Sequence, residues 1–198
     1  MVTHGRFPND ARIEKEASSL IKAGYHVYIY ANREVTKYLV NSFKGARVKY
    51  FSLRYSPIFL LFTLPRILRR MFRADKVAVV HVQDTPLVLP TILAAVSLRI
   101  PIIYDIHEIW HRMVADDFLT PIIERALLMP WCRISEYIGS KMTDAIIVTS
   151  EEMAAYITET YSIPPEKIAV VKNVCELPDR NSLSSVELPK NIFKVCYV

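Results

Sequence analysis

Short apolar runs that end abruptly at polar clusters set the rhythm of this chain. At 100–103 the residues are Ile-Pro-Ile-Ile, and the run then breaks into Asp105, His107 and Glu108. An apolar run of that length predicts a strand buried on both faces. The same shape recurs at 77–82, which ends around His81, Gln83 and Asp84, at 144–149, and more briefly at 167–171. Helical spacing appears between such runs. Ile13, Ala17, Leu20 and Ile21 fall at i, i+4, i+7 and i+8 and make one apolar stripe. Asn9 or Asp10 can cap that helix, Glu14 and Glu16 suit its positive end, and Gly24 can stop it. Residues 25–31 then read as a β-rich strand with Val27, Ile29 and Ala31 on one face, and 47–52 as a third strand.

Further along, Asp84 or Thr85 can cap a helix with Pro86 at its first position, running to about 98. Residues 107–117 read as a polar, aromatic loop. A long helix follows over 120–142, with Thr120 as cap, Pro121 behind it and a kink expected at Pro130. Ser150 can cap the helix after the strand at 144–149. Residues 175–190 have a linker composition, and 191–198 turn apolar again, like the first strand of a further domain. The succession predicts an α/β fold: a single Rossmann-like, doubly wound, mostly parallel sheet over 1–174. Only residues 1–3 are left for a first strand, so the expectation is a truncated chain.

Residues 57–73 fit this scheme least neatly. Ile58 to Leu64 is apolar, and Arg66, Arg69, Arg70 and Arg73 follow, with Pro65 between as an expected interruption. Two readings stand: a crossover helix with its apolar face on the sheet, or a segment lying on an anionic membrane surface.

Composition narrows the class. The chain is 52% hydrophobic and 23% charged, which excludes disorder as the main state. Cys132, Cys175 and Cys196 lie far apart with no CxxC, the pattern of thiols in a reducing compartment. The net charge of +5 favours anionic partners. The first residues have no apolar signal core, and the longest apolar region is broken by Pro90, Arg99 and Pro101, so no spanning helix is expected.

In open α/β sheets ligands bind at the carboxyl ends of the strands, so the polar clusters there are the candidates. His107, flanked by Asp105 and Glu108, suits a general acid or base, a hydrogen-bond donor to a hydroxyl, or a structural hydrogen bonder. Asp105 either orients His107 or caps the next turn, and Glu108 either meets substrate or stabilises the loop. In the loop 4–9, Gly5 permits close backbone approach, and Arg6 either reaches an anion or is solvated. Asp10 and Arg12 can pair. Gln83 and Asp84 can hydrogen-bond a ligand's hydroxyls. Trp110, His111 and Arg112 form either a stacking platform for a ligand or a packing cluster. His81, His107 and His111 lack HxxxH or HExxH spacing, so no metal site is expected.

The segments Asp10-Ala-Arg-Ile-Glu-Lys-Glu-Ala17, Val82-Gln-Asp84, Tyr104-Asp-Ile-His-Glu108, Thr143-Asp-Ala-Ile-Ile-Val-Thr-Ser150 and Val170-Val-Lys-Asn173, in that order, resemble the N-terminal domain of glycosyltransferase family 4 enzymes. The resemblance implies a GT-B fold: two Rossmann-like domains across a cleft, acceptor on the first and nucleotide-sugar donor on the second. Transfer would retain the anomeric configuration and need no metal or other cofactor. It implies that His107 contacts the donor sugar or reacting hydroxyl, that the loop with Gly5 and Arg6 lies near the diphosphate, and that Asn173 begins the hinge. The expected protein is the acceptor-binding half of a cytoplasmic hexosyltransferase at the inner membrane face. Its expected partners are a nucleotide-sugar donor and a saccharide or lipid-linked acceptor, not nucleic acid, and alone it should be inactive. The alternatives are a non-catalytic sugar- or nucleotide-binding module and a nucleotide-sugar epimerase of the same fold.

Overall fold

A computed structural model describes residues 1–5, 7, 8, 10–54, 56, 58–116 and 122–174. Its strands are β1 (Val2–Thr3), β2 (Tyr28–Asn32), β3 (Ser42–Phe43), β4 (Ala46–Phe51), β5 (Val80–Gln83), β6 (Ile102–Ile106), β7 (Ala145–Val148) and β8 (Ile168–Val170). Its helices are α1 (Ala11–Lys22), α2 (Leu64–Ala74), α3 (Thr85–Val96), α4 (Trp110–Asp116), α5 (Ile122–Met142) and α6 (Glu151–Tyr161). The strands form one sheet in the order β3-β4-β2-β1-β5-β6-β7-β8. Every pairing is parallel except β3 with β4. The strand order reverses at β1, the switch point of a doubly wound sheet.

Period-two alternation divides the core. Val2, Tyr30, Val82, Tyr104 and Ile146 join a cluster with Leu68 and Phe72 of α2, Leu87 and Ile92 of α3, and Ile157 of α6. Ile29, Ala31 and Val48 point the other way and pack on Ile13 and Ala17 of α1. Asp10 caps α1 by accepting from Arg12 N at 3.1 Å, and Ser150 caps α6 by accepting from Met153 N at 3.2 Å. α5 runs unbroken across Pro130. It packs closely on α3 at Gly139, where a Cβ would stand 3.0 Å from both Tyr104 and Val88.

Several expectations need correction. The second strand begins at Tyr28; before it, the Val27 carbonyl accepts from Arg47 N of β4 at 2.9 Å. The loop expected at 107–117 contains α4, a helix too short to reveal a stripe; its Val114 is buried. β3 and its hairpin have no apolar run to announce them; the turn rests on Lys44 and Gly45, with φ of 46° and 94°. Pro65 does not interrupt a helix: it sits in the first turn of α2, where a missing N–H costs little, just after a π-helical turn over Phe59–Thr63. Leu60, Leu64, Leu68 and Phe72 are buried, while Arg66, Arg69, Arg70 and Arg73 are exposed. Asp84 stands at the cap position of α3 but makes no side-chain cap bond, and Thr85 is the first helical residue, so Pro86 is second and not first. The cap at Asn9, the helix start at Thr120 and Pro121, Cys175, Cys196, and the segments 175–190 and 191–198 lie outside the described residues.

Candidate functional site

The site forms where β1, β5 and β6 end side by side. Gln83 lies opposite Asp105 across the β5–β6 ladder and His81 opposite Ile103, so His81, Gln83 and Asp105 share one face. That is the face carrying α1. Asp105 is 1% exposed and shares its Oδ2 between two imidazoles, His81 Nε2 at 3.0 Å and His107 Nε2 at 3.1 Å. The His107 approach is an ion-pair contact more than an aligned hydrogen bond. His107 Nδ1 and Asp105 Oδ1 are both buried without a partner among the described residues.

Charge follows from these contacts. Burial by itself would raise the Asp105 carboxyl, but His107 and His81 outweigh it and hold it down at about 2. Burial by itself would lower the His107 imidazole, and Asp105 reverses that, so His107 is raised above its ordinary value. Asp84 is nearly buried; His4 Nδ1 stands 3.1 Å from its Oδ2 and, with Arg12, more than offsets desolvation and lowers its carboxyl. Its φ of 70° turns the chain sharply there. Strain of that kind is a mark of functional sites.

A residue overlooked as a site member completes the cluster. Glu16 of α1 accepts from Gln83 Nε2 at 2.5 Å. Burial and the nearby Asp105 push its carboxyl up to about 7. Glu16 reads in the sequence as a helix-dipole residue; only the crossover that lays α1 over β5 brings it to the site. Glu16, His81 and Asp105 bring one ligand atom each within 4.8 Å of one another, a set that can hold a metal by distance. Each member is already engaged by the hydrogen bonds above.

The other candidates fall as follows. Gly5 spends its N–H on Thr3 Oγ1 at 3.0 Å, and a Cβ there would make only ordinary contacts. Arg6 lies outside the described residues. Glu108 is exposed and acts electrostatically on Arg12, which also pairs with Asp10 at 3.2 Å. The Trp110 ring meets His4 edge-on at 4.8 Å. His111 bonds the buried Glu136 at 2.5 Å, Tyr161 bonds the same carboxylate at 2.9 Å, and Arg112 lies over the Tyr156 ring. His111 and Arg112 therefore tie α4 to α5 and α6.

The sequence profile of Glycosyltransferase Family 4 matches residues 12–177. Solved structures with the same fold include a glycosyltransferase from Rickettsia africae ESF-5, with a TM-score of 0.56 and 12% identity over 86% of this chain and 42% of that one. Anabaena Alr3699/HepE, solved in complex with UDP and glucose, has a TM-score of 0.55 and 12% identity over 87% of this chain and 43% of its own. Os79 from O. sativa, solved in complex with UDP, has a TM-score of 0.56 and 13% identity over 87% of this chain and 52% of its own. The chain thus spans about half the length of these proteins or less. None of the curated protein sequences matches it.

Proposed function

This chain belongs to glycosyltransferase family 4, and from that premise we propose that it is the acceptor-side half of a retaining glycosyltransferase that uses a nucleotide-sugar donor and works in the cytoplasm. In this reading residues 175–190 link it to a second, donor-binding domain that begins at 191–198. His107 sits at the reacting centre. Its unpartnered, buried Nδ1 is the observation that carries the reading, because a buried polar atom without a partner costs about 1–3 kcal/mol until something satisfies it. With Nε2 turned to Asp105 and the ring held towards its charged form, Nδ1–H is free to donate to a sugar or acceptor hydroxyl oxygen. Asp84, beside His4 and Arg12, is the second group on this edge for a hydroxyl. No step in this reading is assigned to a metal.

In the parent enzyme with its second domain, His107→Ala should lower kcat at least a hundredfold for the nucleotide sugar it uses, with its fold kept by circular dichroism. An unchanged kcat would remove His107 from the centre. The chain of 198 residues alone should show no transfer.

The acceptor side is read as facing an anionic membrane. Among the described residues no helix is long and apolar enough to cross one. Instead Ile58, Leu61 and Phe62 are exposed, at 72%, 38% and 56%, on the surface that continues into Arg66, Arg69, Arg70 and Arg73. Apolar side chains beside arginines suit a headgroup boundary and a lipid-linked acceptor. Cosedimentation with anionic vesicles should fall when Phe62, Arg66, Arg69 and Arg70 are replaced together by serine. Equal sedimentation would refute the contact.

A further inference from the structure

Three segments far apart in sequence bring metal-ligand atoms to one point. Glu16 stands on α1, His81 on β5 and Asp105 on β6, and one ligand atom from each lies within 4.8 Å of the others. Each segment supplies a single member, so no spacing within the sequence announces the set. The sheet places two of the three: Gln83 lies opposite Asp105, and His81 stands two residues before Gln83 on the same face. A cavity of about 920 Å³ opens beside them. Arg12, Lys15 and His107 also line it, and Val27 and Val79 belong to its apolar part.

The hydrogen bonds within the set leave the atoms that a cation needs. Asp105 is buried, and its Oδ2 takes both imidazoles while its Oδ1 has no partner among the described residues. A buried carboxylate oxygen left in that state points to a group that fills the place. Gln83 takes one oxygen of Glu16, and a carboxylate has a second. His81 can ligate through Nε2 as a neutral imidazole, giving up the proton that lies between it and Asp105 Oδ2. Gln83 and His107 would then hold the two carboxylates from outside, as outer partners hold the ligands of a metal. Of the cations on the cavity wall, Arg12 pairs with Asp10 at 3.2 Å and Lys15 donates to the Val174 carbonyl at 3.1 Å. Glu16 and Asp105 repel one another, and a cation between them offsets that repulsion.

We propose that Glu16, His81 and Asp105 form a binding site for a zinc-type, first-row divalent cation whose open coordination positions face the cavity. An imidazole and two carboxylates without sulfur suit such an ion. Ca²⁺ takes roughly six to eight oxygens, more than these side chains supply. The site does not depend on the transferase reading.

Titration of the full chain, freed of metal, with Co²⁺ tests this through visible absorption. A single Co²⁺ per chain should bind, with ligand-field bands and no thiolate charge-transfer band, and Zn²⁺ should displace it while Mg²⁺ should not. Glu16→Gln, His81→Gln and Asp105→Asn should each weaken binding at least about tenfold, with the fold kept by circular dichroism. His111→Gln, at the separate carboxylate of Glu136, should leave binding unchanged. Glu16 and His81 are less buried than Asp105, so their variants carry the test if Asp105→Asn fails to fold. No uptake of Co²⁺, a thiolate band, displacement by Mg²⁺, or undiminished binding by the Glu16 and His81 variants would overturn the proposal. So would equal weakening by His111→Gln.

Discussion

Glu16→Gln isolates the buried carboxyl of the cluster. Glutamine keeps the shape and the acceptor oxygen that Gln83 uses and removes only the ability to ionise. In the folded chain the Glu16 carboxyl sits at about 7 against an ordinary 4.5, because burial and Asp105 both disfavour its charge. A carboxyl raised in this way binds more protons folded than unfolded between those two values, so its contribution to stability falls as pH rises through the window. At about 1.36 kcal/mol per tenfold, the cost is about 0.8 kcal/mol at pH 5 and about 3.3 kcal/mol at pH 8. The native chain should therefore lose about 2.5 kcal/mol relative to Glu16→Gln between pH 5 and pH 8. That difference is on the order of 5–10 °C in Tm for a chain of this size. The assay is urea unfolding of both proteins at each pH. Titration of His107 and the Met1 amino group occurs in both and drops out of the difference, apart from their coupling to Glu16. Parallel loss of stability in the two proteins would show that Glu16 ionises freely and would refute the electrostatic account of the cluster.

Asp105→Asn should cost about 2 kcal/mol at pH 7, since a carboxyl held at about 2 instead of 3.8 stabilises the fold above 3.8 and loses that effect as pH falls through 2. The same change should lower the His107 titration point followed by imidazole NMR, because Asp105 is what raises it; an unmoved His107 would refute the pairing. Gly139→Ala should destabilise the chain by about 1–3 kcal/mol in thermal unfolding, as the new Cβ would meet Tyr104 and Val88 at 3.0 Å. Thr85→Val should cost about 1–3 kcal/mol by leaving the buried Tyr104 hydroxyl without its partner at 2.8 Å; a neutral result would mean that water reaches it.

The abrupt polar ends of the apolar runs were enough to place Asp84, Asp105 and His107 at one sheet edge. Asp105 was readable only as a residue with two possible roles. Its role as the shared partner of His81 and His107 depends on β5 lying beside β6 in a particular register, and no local pattern carries register. Glu16 was harder still, because Gln83 lies 67 residues away. α4 was missed because one buried residue in seven makes no stripe. The Lys44–Gly45 hairpin was missed because a strand of two residues has no periodicity.

The position of β1 bears on how the chain folds during synthesis. Val2 is bonded on one side to β2 but must wait for Val82 before its other edge is closed. At ribosomal rates of about 5–20 residues per second, that wait lasts on the order of 4–16 s. Until then Val2 and Thr3 border an open edge, and the polar end of β5 that builds the site has not been made. Pairing across so long a stretch of chain is slow to nucleate. The half-sheet from β1 to β4 therefore keeps an open edge at β1 until β5 is made, and the closing of that edge and the first contribution of β5 to the site are the same late event.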